Sequence, residues 1–395
     1  MTSLAITDIG SLVTNDPNLG NKSAKLDLLG LRSDAAVVIE DGLVVWVGDN
    51  SNVPDTDEQH SVEGAAVIPG FVDSHSHMVF GGERSAEFAA RMAGQKYAAG
   101  GIRSTVAATR SATDAQLRNN LRALSTEMLA SGITTFETKS GYGLDLATET
   151  RSLRIAASYT EEVTYLGAHV VPAEFHDRPD DYVSLVSGDM LQSAVGAGAK
   201  WIDVFCDRGA FDADQARQIL AAGKAAGLKP RIHANQLQAG DGIKVAVEFD
   251  CASADHCTHL TESDIDLLAG SNTVATLLPG AEFSTRSPYP NGGRLFGAGV
   301  TVALATDCNP GSSFTTSMPF CLAVAVRDMN LTPDQALWAA TAGGARALRR
   351  TDVGHLGLGA AADFLVLGAP NHIFLAYRPG VDLIDQVWKA GEPQF

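Results

Sequence analysis

Val67-Ile68-Pro69-Gly70-Phe71-Val72-Asp73-Ser74-His75-Ser76-His77 carries an apolar run into two histidines one residue apart. A short apolar run bounded by turn signals suits a strand buried on both faces, as parallel sheets require. Residues i and i+2 of a strand point the same way. His75 and His77 are therefore expected to project from one face at the strand's carboxyl end, where two imidazoles can begin a metal site. Taken alone, His-x-His also describes two polar histidines satisfied at a loop edge. Its meaning rests on the rest of the chain.

Working outward, residues 66–348 repeat a strand-then-helix rhythm. After the histidine strand come candidate strands at 133–138, 163–169, 201–206, 230–233, 252–256, 273–278 and 300–307, making eight with the first. Thr113-Asp114-Ala115-Gln116 and Thr332-Pro333-Asp334-Gln335 read as capping boxes, the second with proline at the first helical position. Leu117, Leu121, Leu124 and Met128 then share one helical face. Gly132 and Gly227 stand where helices should stop. Eight strand–helix units predict an α/β fold, a closed (β/α)8 TIM-like barrel, with a doubly wound open sheet as the alternative.

Both ends are β-rich. Segments 35–40 and 43–47 flank Asp41-Gly42, a two-residue hairpin signal, and 363–367 and 381–389 are further strand candidates. The expected organisation is a small β-sandwich domain built from 1–65 plus 349–395, with the barrel, 66–348, inserted between them.

Barrel active sites lie at the carboxyl ends of the strands. Those ends carry His75 and His77, the 137–140 segment, His169, Phe205-Cys206, His233, His256, the 278–280 segment and Asp307. Five of the ten histidines fall there, an alignment that scattered core histidines would not produce. His75, His77, His233 and Asp307 form a mixed nitrogen and oxygen set suited to one divalent ion, Zn or Fe.

Longer phrases carry a resemblance. They include the opening stretch, Gly82-Glu83-Arg84 with Glu87-Phe88, Gly100-Gly101-Ile102, Lys139-Ser140-Gly141-Tyr142-Gly143-Leu144 and Leu166-Gly167-Ala168-His169. Further along come Asp203-Val204-Phe205-Cys206, His233-Ala234-Asn235-Gln236-Leu237, Ser253-Ala254-Asp255-His256 and Ala305-Thr306-Asp307-Cys308-Asn309-Pro310-Gly311. On these the chain resembles the amidohydrolase superfamily over nearly its whole length. Within that superfamily it is similar to the branch that hydrolyses 4-imidazolone-5-propanoate to N-formimidoyl-L-glutamate, the third step of histidine breakdown. The resemblance implies a composite β domain, a homodimer, and Arg84 as the cation gripping the substrate's propanoate. It implies further substrate contacts from Tyr97, Tyr142, His169, Gln236, Asn309, Gly311 and Ser312.

The residues fit that chemistry. Water opens a cyclic amide only when a metal lowers its pKa. Asp307 could take the water's proton, and His256 could stabilise the oxyanion or relay a proton. His256 could instead bind a second metal. Two-metal relatives usually bridge their ions with a modified lysine at the end of strand four, where this chain has Phe205-Cys206, so one metal is expected. A departure follows Leu278-Pro279-Gly280-Ala281: relatives usually continue with an aromatic-rich stretch, and this chain has Glu282-Phe283-Ser284-Thr285-Arg286. The shape of that loop is therefore open.

Composition limits the rest. The chain has 395 residues, 45% hydrophobic and 19% charged, which excludes a disordered chain. A formal charge of −17 argues against nucleic acid and anionic membranes as partners. Five dispersed cysteines without a CxxC pair suit reduced thiols in a cytoplasm, and neither a signal peptide nor an 18-residue apolar run is visible. Two rival functions remain. Ring deaminases of the same superfamily usually carry a titratable glutamate three residues after the strand-five histidine; Gln236 stands there. A non-catalytic scaffold would be expected to lack metal ligands, and none is missing.

Overall fold

The opening stretch forms two strands rather than one. Ala66–Pro69 pairs antiparallel with Phe364–Leu367 and parallel with Ser3–Val13, whereas Phe71–Asp73 belongs to a different, parallel sheet. The break falls at Gly70, where a Cβ would stand 2.3 Å from Thr134 Oγ1. Hydrophobic pattern alone could not mark it, because all four residues of the first strand and all three of the second are buried.

The structure, a computed structural model, describes residues 3–16, 19, 28–95 and 101–394. Tyr97 lies outside the described residues. The chain divides into two compact units. One comprises Met1–Asp73, Glu127–Thr135 and Ser317–Phe395; the other comprises Ser74–Thr126 and Phe136–Thr316.

The first unit contains an eight-stranded sheet drawn from both ends of the chain. Its hairpin joins Leu31–Glu40 to Leu43–Asp49 with Glu40 opposite Leu43. Asp41 and Gly42 both take positive φ, 50° and 76°, as a two-residue turn matching strand twist requires. Ile6, Leu12, Val37, Phe364 and Trp388 pack in its core.

The parallel strands follow chain order around a barrel: Phe71–Asp73, Ile133–Lys139, Glu162–Ala168, Trp201–Cys206, Ile232–Ala234, Ser253–His256, Val274–Leu277 and Val302–Leu304. The ring closes just beyond the first and last strands. Ser76 bridges Cys308 in parallel, Asp307 N–H donates to the His75 carbonyl at 3.0 Å, and His77 N–H donates to the Cys308 carbonyl at 2.9 Å. Both expected capping boxes form, at Thr113 with Gln116 and at Thr332 with Gln335. Among the described residues no helix is long and apolar enough to cross a membrane.

Candidate active site

Every candidate side chain at the strand ends lies in the second unit, where the ligand atoms of His75, His77 and Asp307 lie within 4.8 Å of one another. His77 Nε2 is 3.2 Å from His75 Nε2 and 3.3 Å from His233 Nε2. Asp307 Oδ1 is 3.5 Å from both His75 Nε2 and His77 Nε2. A tetrahedral ion with ligands at about 2.0–2.1 Å separates its donors by about 3.3–3.4 Å. These four separations are close to that edge length.

Tautomers point the lone pairs inward. His75 Nδ1–H donates to Asp255 Oδ2 at 2.8 Å, and His233 Nδ1–H donates to Asp203 Oδ1 at 3.1 Å. With Nδ1 so engaged, each ring turns its Nε2 towards the centre. Burial holds the His75 and His77 imidazoles well below the usual histidine range, so both are neutral near pH 7. Asp203 keeps its charge: burial alone would raise its pKa, but the neighbouring His233 and the Lys139 ammonium outweigh that and lower it. Asp307 is pushed up by burial, and a cation at the centre would favour its ionised form. Its other oxygen, Oδ2, accepts from Ser312 Oγ at 3.2 Å.

Backbone strain marks two of these groups. His256 and Asp307 have φ of 77° and 52°, a region that non-glycine residues seldom enter. Strict strand alternation would aim Asp255 and His256 in opposite directions. The left-handed turn at His256 breaks that alternation: Asp255 reaches His75, and the His256 ring centroid still lies 5.9 Å from that of His75 and 5.4 Å from that of His233. A donor atom of His256 also groups with those of His75 and His233 within 4.8 Å, so it could serve as a ligand or as a proton-handling neighbour.

A cleft opens over the four donors, lined by Arg84, Tyr142, His169, Gln236, His256 and Ser312 among others. Arg84 is held edge-on by Glu87, with Nε and Nη2 donating to its two carboxylate oxygens at 3.0 and 2.6 Å. Glycines pack closely against it. A Cβ at Gly101 would lie 2.1 Å from Arg84 Nη2, and one at Gly311 would lie 2.1 Å from Nη1. Tyr142 sits in a loop whose Gly141, Gly143 and Leu144 N–H groups all donate to the buried Glu149 carboxylate. His169 Nδ1–H donates to the Gly141 carbonyl at 2.9 Å, and burial lowers its pKa to about 3, so its Nε2 is an acceptor. Asn309 is occupied within its own loop: Oδ1 accepts from the Gly311 and Ser312 N–H groups, and Nδ2 donates to the Asp307 carbonyl.

Known proteins share this architecture. The amidohydrolase family model matches residues 66–393. The chain belongs to the amidohydrolase family. Within it the chain groups with the imidazolonepropionases. It is 61% identical to the imidazolonepropionase of Streptomyces griseus, with 99% of each chain covered. It is 63% identical to that of Salinispora arenicola, over 100% of this chain and 99% of the relative. Among solved structures, a triazine hydrolase variant superposes with a TM-score of 0.76 at 17% identity, covering 99% of this chain and 94% of that one. Guanine deaminase of E. coli gives 0.71 at 18% identity, covering 100% and 98%. These distant likenesses carry the barrel fold alone.

Sequence reasoning assigned no role to Asp203, Asp255, Glu87 or Glu149. Asp203 had a readable signal, because it stands two residues before the cleft-lining Phe205 and so faces the same side of the strand. Asp255 had none, since its use depends on the backbone turn at His256. The atypical segment after strand seven forms a helix, Pro279–Thr285, ending at Arg286 with φ of 58°. Its Glu282 is buried, accepts from Thr258 Oγ1 at 2.6 Å, and is raised by burial to about 8.

Proposed function

We propose that the chain hydrolyses 4-imidazolone-5-propanoate to N-formimidoyl-L-glutamate at this cleft, with one divalent ion, zinc or iron, held by His75, His77, His233 and Asp307. The observation that carries the reading is the close approach of His77 Nε2 to the His75 and His233 Nε2 atoms, and of Asp307 Oδ1 to His75 and His77, beside a buried arginine that lines the same cleft. The ion, when bound, lowers the pKa of a water and polarises the ring carbonyl.

The protein's own groups do the rest. Asp307 takes the proton as water adds to the carbonyl carbon, and returns it to the ring nitrogen as the carbon–nitrogen bond breaks. Its bond from Ser312 Oγ fixes which oxygen faces the reaction. His256, buried and held neutral, stabilises the oxyanion or relays the proton. Arg84, its guanidinium held by Glu87, grips the propanoate. Tyr142, His169 and Gln236 position the ring, and the Asn309–Ser312 loop shapes its far wall; Tyr97 completes the proposed contacts. An amide at Gln236 can donate and accept without titrating, which suits recognition rather than delivery of protons to departing ammonia.

The same reading puts the enzyme in the cytoplasm, supported by five buried, free cysteines, and takes it to be a homodimer. It divides the chain into a terminal β domain, 1–65 plus 349–395, and a catalytic barrel, 66–348. The test is turnover of freshly generated 4-imidazolone-5-propanoate, followed by loss of its ultraviolet absorbance. Activity should vanish on chelation and return with zinc or iron. Full activity in metal-free protein would refute the reading.

A further inference from the structure

Beneath the four donors lies a cation that the reaction does not use. Lys139, at the end of the second barrel strand, is completely buried. Its ammonium lies 2.9 Å from Glu137 Oε1 and 3.1 Å from Asp203 Oδ2. Each carboxylate reaches one part of the donor set. Asp203 Oδ1 takes the Nδ1–H of His233. Glu137 Oε2 accepts the backbone N–H of Ser76, the residue between His75 and His77, at 3.0 Å, while the Glu137 carbonyl accepts from Ser76 Oγ at 2.5 Å. Thr164 Oγ1 also donates to Glu137 Oε1.

We propose that Lys139 is a positioning residue: its ammonium ties Glu137 to Asp203 and so sets the spacing between the His75–His77 pair and His233. The proposal rests on the metal reading of those three histidines. Two carboxylates sharing a site closed to water repel strongly unless a cation stands between them. With the ammonium in place, Asp203 is pinned at one oxygen while the other orients His233. Glu137 is pinned in the same way while it holds the backbone at Ser76. A neutral side chain would let the carboxylates move apart, taking both supports with them. Metal sites are sensitive to such outer partners, whose loss typically lowers metal affinity about 10–100-fold. Among the described groups the arrangement has one parallel: His75 is backed by Asp255, whose Oδ2 is 3.5 Å from the buried Arg231 guanidinium.

The experiment measures zinc affinity by chelator competition, and the visible spectrum of the cobalt(II)-loaded protein, for the parent, Lys139→Met and the double variant Lys139→Met/Glu137→Gln. Thermal unfolding is followed in parallel. The double variant removes one negative charge with the positive one and keeps an acceptor for Ser76 N–H, so it preserves folding should the single variant fail to fold. The expected result is zinc affinity lowered at least about tenfold in the folded variants, with a changed cobalt spectrum. Parent-like affinity and spectrum in the folded double variant would overturn the proposal and leave Lys139 a mere counter-ion for Glu137. His233→Ala separates the two levels. If it loses zinc while the Lys139 variants keep it, the positioning role alone fails; if it retains parent-like zinc, the metal reading fails and the proposal with it.

Discussion

Replacing Arg84 with methionine keeps a long apolar stem and removes the planar fork. In the protein, Glu87 holds the Nε–Nη2 edge, and Nη1 packs against Gly311. What a substrate carboxylate would lose is one charge-assisted contact, a net contribution of about 1.5–3 kcal/mol. At about 1.4 kcal/mol per factor of ten, kcat/KM for 4-imidazolone-5-propanoate should fall about 10- to 150-fold. The propanoate does not react, so its grip is nearly the same in ground and transition states. Most of the loss should accordingly appear in KM, with kcat changed less. Folding should survive, because the side chain of the abandoned Glu87 is already 38% exposed and water can replace its partner. Zinc content should stay constant, since the donors are oriented by Asp203, Asp255 and Ser312. Steady-state kinetics with metal analysis on the same preparations make the assay. A KM within twofold of the parent, or a loss confined to kcat, would refute the assignment of the carboxylate to Arg84.

Three further outcomes are expected. Asp255→Asn removes the carboxylate that fixes the His75 tautomer, and zinc affinity by chelator competition should fall about 10–100-fold; an unchanged value would contradict the backing role. Gln236→Ala should lower kcat/KM moderately, well short of the 10²–10⁴ typical of a lost general acid or base, and Gln236→Glu should release no ammonia from aminated rings in a coupled ammonia assay. Glu282 has a pKa raised by burial to about 8, so the native state retains a proton that the unfolded chain gives up above the ordinary glutamate range. Its contribution is present in acid and is lost as pH rises from about 4.5 towards 8. Glu282→Gln should therefore leave melting near pH 4.5 almost unchanged and raise it, relative to the parent, at pH 8.5; equal shifts at both pH values would contradict the buried proton.

The barrel and its donors were legible because they rest on periodicity and on residue type at strand ends. Placing His75, His77, His233, His256 and Asp307 at one end of the barrel needed only the strand boundaries. The supporting groups were harder to see. Lys139 and Glu137 are a charged pair two residues apart, a pattern as common on solvated strands as in a sealed core. Only the closed ring shows them buried. Asp255 depends on a left-handed backbone at His256, and sequence carries no rule for a histidine entering that region. The split at Gly70 was invisible for the opposite reason: the residues on either side are uniformly buried, so no pattern separates a strand of the terminal sheet from one of the barrel. Hydrophobic runs specify burial, while register and sheet membership are decided by neighbours distant in sequence.

The most direct measurement is the product made by the unmodified protein. Loaded with zinc and given freshly generated 4-imidazolone-5-propanoate, it should form formimidoylglutamate in step with the loss of absorbance, with no ammonia released. Stoichiometric ammonia from an aminated heterocycle, with 4-imidazolone-5-propanoate left intact, would contradict ring opening at this site.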